Sequence, residues 1–379
     1  MVMVTSQYYR SLWIKRAQKK HGALEANQHS PLPPPRSFQK QTGAIFNDNR
    51  LSMATSGTSQ SLTNGKSSKS TELTPSDIKT RLLIMGRMSS ASSATARLFS
   101  LREDVFYLGE PGHMMFKMIF HKDVHIDSRD YVDEMQQQLC QFLGDMFSCN
   151  FSSHGYFVDT LNEKKLYRGK GSLQKLDYPI TESGLTELCQ SKSHIISKVL
   201  RLSDVTQCLP TFQQNNVKFL FLVRDPRGLV TSRLRRWGTI LAKVNDKTSD
   251  KYYPVAKMVE DHCAWLDKVF NLLTNGPRWF RENSMLVRFD DKCMYPGTID
   301  QAICDFVGIT APSPSSPISK SYNESAINWL IAHSYERIKE IQDYCPKHIY
   351  NEFGWLMIND KKEFEQAKRH GTDQCQVIK

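Results

Sequence analysis

Two short segments combine residue types that could hold a phosphorylated nucleotide. The first is Leu82-Leu83-Ile84-Met85-Gly86-Arg87-Met88-Ser89-Ser90-Ala91-Ser92-Ser93-Ala94-Thr95. An apolar run bounded by Gly86 passes into a loop of small residues and then into a helical pattern. Small residues let the backbone curl so that several N–H groups face one anion. The start of a helix adds its dipole and unpaired N–H groups. Ser92, Ser93 and Thr95 add hydroxyl donors. This is the chemistry of a phosphate cradle, although a Ser-rich turn capping a helix would use the same residues. The GxxxxGK[ST] pattern of a Walker loop is absent.

The second segment runs from Lys218 to Arg233. Phe219 to Val223 is a continuous apolar strand. Asp225 suits an N-cap and Pro226 the first helical turn. Arg224 therefore sits at the carboxyl tip of a strand. Ser232 lies about two turns into the following helix. An Arg and a Ser so placed can grip one phosphate, by charge and by hydrogen bond. The alternative is an Arg–Asp surface pair beside a helix cap.

The rest of the chain must position these segments. It has 379 residues, 40% hydrophobic and 23% charged, which fits a globular core. Lys and Arg total 50 against 39 Asp and Glu, a net charge of +11. A basic surface implies an anionic partner without naming it. Residues 1–79 read as a disordered tail: a proline-rich stretch at Pro31 to Pro35, a Ser/Thr/Gly/Lys-rich stretch at Ser52 to Ser76, and a basic amphipathic patch around Tyr8 to Lys20. That patch could lie on a membrane surface or be a solvated arm. No apolar run approaches the roughly 20 residues needed to cross a bilayer, and the first 30 residues show no cleavable leader.

From Thr80 onward, strand-like runs at Arg81 to Met85, Ile195 to Leu202, Lys218 to Val223 and Met285 to Phe289 alternate with helical patterns. One helix covers Ala94 to Leu101. Another covers Asp261 to Leu273, with Cys263, Leu266, Val269 and Phe270 inward. That alternation predicts an α/β fold, a parallel sheet with helices on both faces. Phe157 to Thr186 reads as a polar insertion over the functional edge. Residues 358–379 read as a polar C-terminal tail.

The nine cysteines include no CxxC pair, so a zinc or thioredoxin-type site is not expected. Cys189 and Cys208 could bridge around the Ile195 to Leu202 strand or remain thiols. Asn150-Phe151-Ser152 and Asn323-Glu324-Ser325 match the N-glycosylation triplet.

The two chemical segments together resemble the carbohydrate sulfotransferases that act on galactose, N-acetylglucosamine and N-acetylgalactosamine. Phe219 to Arg227 with Ser232-Arg233 is similar to that family's 3′-phosphate element. Gly86 to Thr95 is similar to its 5′-phosphosulfate loop. Further resemblances follow in order: Asp104 to Pro111, Ser197 to Leu202, Val287 to Asp291, Asp305 to Ile309, then Trp329, Ile338, Ile341, Cys345 and Phe353-Gly354-Trp355. The resemblance covers residues 80–357.

It implies a single sulfotransferase domain with a P-loop-like sheet, the donor 3′-phosphoadenosine 5′-phosphosulfate, and an acceptor hydroxyl, the 6-O of one of those sugars, in a glycan or proteoglycan. It implies no metal, and a Golgi membrane setting although no anchor is visible. Donor-binding residues would be Arg87, Ser89, Ser90, Ser92, Ser93, Ala94, Thr95, Arg224 and Ser232. Glu110 would be the catalytic base. The loop departs from the family's Arg-Ser-Gly-Ser-Ser, because Ser89 stands for the Arg and Ala91 for the Gly. Ala91 would not easily take a positive φ. Arg87 is two residues away and could replace the missing guanidinium from a shifted loop.

Two further function classes compete. A non-catalytic relative would bind acidic glycan or nucleotide through its basic surface. A nucleotide-hydrolysing P-loop enzyme would need the absent Walker Lys. Nucleic acid is not an expected partner, because the basic residues are dispersed and no aromatic–basic motif appears.

Overall fold

The computed structural model describes residues 80–120, 129–163, 173, 179–243, 254–311 and 328–377. Its centre is a five-stranded sheet with the order β2-β3-β1-β4-β5. The strands are β1 (Thr80–Gly86), β2 (Val105–Gly109), β3 (His194–Val199), β4 (Val217–Val223) and β5 (Ser284–Arg288). Every neighbouring pair is parallel, with Met85 opposite Val199 on one side and Phe221 on the other. β1 is therefore central, and its continuous apolar run is covered on both faces.

Alternation along the strands feeds two cores. Leu83, Met85, Ile195, Val199, Phe219 and Phe221 face one of them. The helices Arg129–Phe147 and Val255–Asn275 cover that face through residues such as Phe142, Leu143, Cys263 and Leu266. Leu82, Ile84, Ile196, Leu220 and Leu222 face the other, under the helices Ser92–Ser100 and Pro296–Val307.

The expected strands are present, with two changes. β3 ends at Val199 instead of Leu202. β2 is an additional edge strand, too short for its own periodicity to stand out. The expected insertion at Phe157 to Thr186 is partly helical: Gly155–Glu163 buries Phe157, Val158 and Leu161, and Glu182–Gln190 buries Leu185 and Cys189. The expected polar tail is also corrected. Lys361–Val377 is a helix, and its Phe364 packs with Trp329, Leu330, Ile338 and Ile358. Ala367, one turn on, packs against the same cluster.

Cys189 and Cys208 do not bridge each other. The disulfides are Cys140–Cys208, Cys149–Cys189 and Cys263–Cys345. Cys189 precedes β3 and Cys208 follows it. A six-residue strand spans about 20 Å, beyond the roughly 7 Å limit for bridged Cα atoms. The helix Arg129–Phe147 and its C-terminal turn run alongside and offer each end a partner, Cys149 at one and Cys140 at the other.

Candidate functional site

The Ser-rich loop leaves β1 at Gly86. A Cβ there would meet Ser90 Oγ at 2.5 Å and the Leu222 carbonyl oxygen at 3.1 Å, so the tight exit needs glycine. Ser89 and Ala91 then take left-handed backbone angles, with φ of 74° and 62°. Ala91 thus adopts the conformation expected to be difficult for it, at a strain of about 1–2 kcal/mol. Its carbonyl accepts from the N–H groups of Ala94 and Thr95, which locks the start of the Ser92–Ser100 helix. The hydroxyls of Ser89, Ser90 and Thr95 are buried and have no hydrogen-bond partner among the described residues. A buried unsatisfied polar group costs about 1–3 kcal/mol. Three between Ser89 and the first turn of the helix suit an acceptor-rich ligand. Ser92 and Arg87 are buried and Ser93 is exposed.

Glu110 begins the turn after β2 with φ 54°, and its N–H donates to the Lys198 carbonyl at 2.8 Å. Its two carboxylate oxygens are both engaged. Lys198 Nζ donates to Oε1 at 2.6 Å and Arg201 Nη1 to Oε2 at 3.2 Å. The same Lys198 Nζ donates to Ser93 Oγ at 3.1 Å, joining Glu110 to the loop. Desolvation pushes the Glu110 carboxyl up, but Lys198 and Arg201 outweigh it and hold the group below its ordinary range. Arg201 is fixed from behind, where buried Gln136 donates from Nε2 to its carbonyl at 3.0 Å.

Lys198 and Arg201 were not assigned roles from sequence, although their segment was aligned with the family. The signal was available. A Lys inside the fully buried strand His-Ile-Ile-Ser-Lys-Val requires a partner, and lysines are almost never buried unpaired.

The β4 tip reaches the same loop. Arg224 Nη1 donates to the Ser89 carbonyl at 2.6 Å, and Arg233 donates to the Met88 carbonyl at 3.2 and 3.3 Å. One guanidinium from the β4 tip and one from the helix Pro226–Lys243 thus hold the cradle. Arg224 lies over the Phe289 ring at 4.1 Å, and its own carbonyl is held by His262 Nε2 at 2.9 Å. Desolvation lowers the Arg224 guanidinium to about 10, partly opposed by Asp290 and Asp225. Gly228 leaves room for it, since a Cβ there would stand 3.1 Å from Arg224 Nε. Ser232 is half-buried on the same helix and makes no hydrogen bond to the loop.

Asp225 caps the helix by accepting from the Arg227 N–H at 2.8 Å. Its carboxylate also holds the Arg227 guanidinium, which donates on to Gln342 Oε1 at 2.8 Å and sits against the rings of Trp329 and Tyr350. Behind Arg224, desolvation and then Asp225 push the Asp290 carboxyl up to about 6, against the hydrogen bond from Trp355 Nε1. One group of possible metal-ligating side chains occurs among the described residues: Asp267, His348 and Glu352, on the helices Val255–Asn275 and Lys347–Phe353.

The cradle at the tip of the central strand is joined to a carboxylate–lysine–arginine cluster and to an Arg from the next strand. Carbohydrate sulfotransferase 1 of Danio rerio is 24% identical over 349 residues, covering 76% of this chain and 80% of the relative. The chain is similar over most of its length to carbohydrate sulfotransferases. Carbohydrate sulfotransferase 3 of Tetronarce californica is 23% identical over 332 residues, 74% of this chain and 73% of its own. Human carbohydrate sulfotransferase 5 is 26% identical over 258 residues, 61% and 62%. No protein-family model matches the sequence. Among solved structures, a sulfotransferase domain from the curacin biosynthetic pathway superposes with a TM-score of 0.44 at 14% identity, covering 73% of this chain and 98% of that domain. Sulfuryl transfer to carbohydrate is the activity class these sequence relatives support.

Proposed function

We propose that the protein transfers a sulfuryl group from 3′-phosphoadenosine 5′-phosphosulfate to a sugar hydroxyl, the 6-O of galactose, N-acetylglucosamine or N-acetylgalactosamine in a glycan or proteoglycan. The observation that carries this reading is the set of buried hydroxyls at Ser89, Ser90 and Thr95, without partners among the described residues, in a glycine-gated loop and the first turn of its helix. Donors without acceptors fit a ligand made mostly of acceptor oxygens. Ser92, Ser93, Ala94 and Arg87 would complete the 5′ side, and Arg224 and Ser232 the 3′-phosphate side. The donor supplies an activated sulfuryl group with an anionic leaving group.

Catalysis in such a transfer is mostly positioning and charge stabilisation. Lys198 would meet the charge that the family's loop Arg meets, because its ammonium already touches Ser93 of the loop. Glu110 would take the acceptor proton. Its lowered range keeps it ionised at neutral pH, so turnover should fall with acid only below the ordinary value of 4.5. Both of its oxygens are held by cations, which also suits a role in aiming Lys198. Glu110→Gln removes the acid limb in either role, whereas rescue of Glu110→Ala turnover by added formate marks the base. Three disulfides and the family resemblance support a Golgi lumenal setting. No described helix is long and apolar enough to cross a membrane.

The test is calorimetric titration with 3′-phosphoadenosine 5′-phosphate. Saturable binding that Arg224→Ala weakens by about 10–100-fold is the expected result. No binding to folded protein overturns the proposal. The second reading, a non-catalytic relative, is favoured by Ser89 in place of the family's Arg. Nucleotide binding without transfer to any acceptor sugar would select it.

A further inference from the structure

We infer that Asn150 is an N-glycosylation site, its glycan carried on Nδ2. The chain offers the triplets Asn150-Phe151-Ser152 and Asn323-Glu324-Ser325, and the second lies outside the described residues. At the first, Asn150 is exposed in the turn that follows the helix Arg129–Phe147. Its Oδ1 accepts from Ser152 Oγ at 2.8 Å and from the Ser152 N–H at 3.3 Å. The carbonyl half of the amide is thereby engaged by Ser152, while Nδ2 takes no part in these bonds and Asn150 as a whole is exposed. The Asn150 N–H donates to the Asp145 carbonyl at 2.8 Å, which fixes the turn.

The neighbours make that turn a stable platform. Phe151 is fully buried, with its ring 5.9 Å from Phe106 and 6.5 Å from Phe142. Cys149, one residue before Asn150, is bridged to Cys189. Side chains at 149 and 151 point inward while that at 150 points out, so a bulky hydrophilic group there meets no core atom. A glycosylated amide keeps its carbonyl oxygen, so both bonds from Ser152 survive the modification.

Compartment is the second requirement. Three disulfides that close loops of 40, 68 and 82 residues form and persist under oxidising conditions. In eukaryotes that is the setting in which asparagine is glycosylated on Asn-X-Ser/Thr. In the step itself, Nδ2 bonds to the anomeric carbon of a sugar delivered as a lipid-linked glycosyl diphosphate. The bond between that carbon and the diphosphate oxygen breaks, the diphosphate leaves with its electron pair, and Nδ2 gives up one proton. The inference does not depend on the transfer reaction proposed above.

The full chain would be expressed in a eukaryotic secretory host and treated with peptide N-glycosidase in heavy-oxygen water. The Asn150 peptide should appear as labelled Asp in the wild type and in Asn323→Gln. The label should vanish in Asn150→Gln and Ser152→Ala and persist in Ser152→Thr. Nucleotide binding should be the same in Asn150→Gln as in the wild type. An unlabelled Asn150 peptide in a chain whose Cys149–Cys189 bridge has formed overturns the inference. So does a chain that forms neither, because the compartment argument then fails.

Discussion

Arg224 and Arg227 leave the tip of β4 three residues apart and end in different surroundings. Arg227 is 1% exposed, held by Asp225 and Gln342 and enclosed by Trp329 and Tyr350. Arg224 lies at the loop, donating to the Ser89 carbonyl and resting on Phe289. The division comes from Pro226. The helix starts there, so Arg227 belongs to its first turn and folds back onto the capping Asp225. Arg224 stands one residue past β4, at the carboxyl edge of the sheet, where α/β proteins bind ligands. One arginine therefore holds the fold together and the other faces the site, although both sit in one motif.

Substitutions should separate these roles, beginning with the largest effect. Arg227→Leu leaves Asp225 buried without its cation, and breaking such a pair costs about 3–5 kcal/mol. Urea denaturation should show that loss, and wild-type stability would remove the distinction. Lys198→Gln should lower turnover by about 10²–10³-fold, as loss of a charge-stabilising donor does, with nucleotide binding nearly kept. Rate and calorimetry on the same preparation check this, and equal losses in both would make Lys198 a binding residue only. Arg224→Ala should weaken binding of the product nucleotide by about 10–100-fold, the value of one charged hydrogen bond. Its denaturation midpoint should stay close to that of the wild type, unlike Arg227→Leu.

The smallest effect is a pH dependence behind the two arginines. The folded Asp290 carboxyl is raised from 3.8 to about 6. The folded state then binds this proton more tightly than the unfolded chain, so this group's contribution to stability is present below 3.8 and is lost as pH rises through about 6. Asp290→Asn should flatten the stability profile across that window. An unchanged slope would place the titration elsewhere.

Much of this was legible in the residues. The run Leu82 to Met85 before Gly86, and Phe219 to Val223 before Asp225-Pro226, set two strands, their exits and a helix start by local chemistry alone. β2 was not legible, because five residues ending in Gly109 gain strand character only by pairing with β3. The disulfide partners were not legible either, since the Arg129–Phe147 helix that supplies Cys140 and leads into Cys149 is remote in sequence from Cys208 and Cys189. Ala91 shows local preference overruled. The turn from β1 into the helix demands a left-handed residue, and the surrounding bonds hold Ala91 there despite its Cβ.

The sequence by itself determined the parallel α/β architecture, the Ser-rich loop and the Arg224 strand tip, because apolar periodicity and helix-start chemistry act over a few residues. Only the tertiary structure decided that Lys198 bridges Ser93 and Glu110, that Arg201 holds the second oxygen of Glu110, and that Arg227 is structural. Those contacts join residues from 88 to 115 positions apart. Such pairs are set by which strands lie side by side and which helices cover them, and no local pattern carries that information.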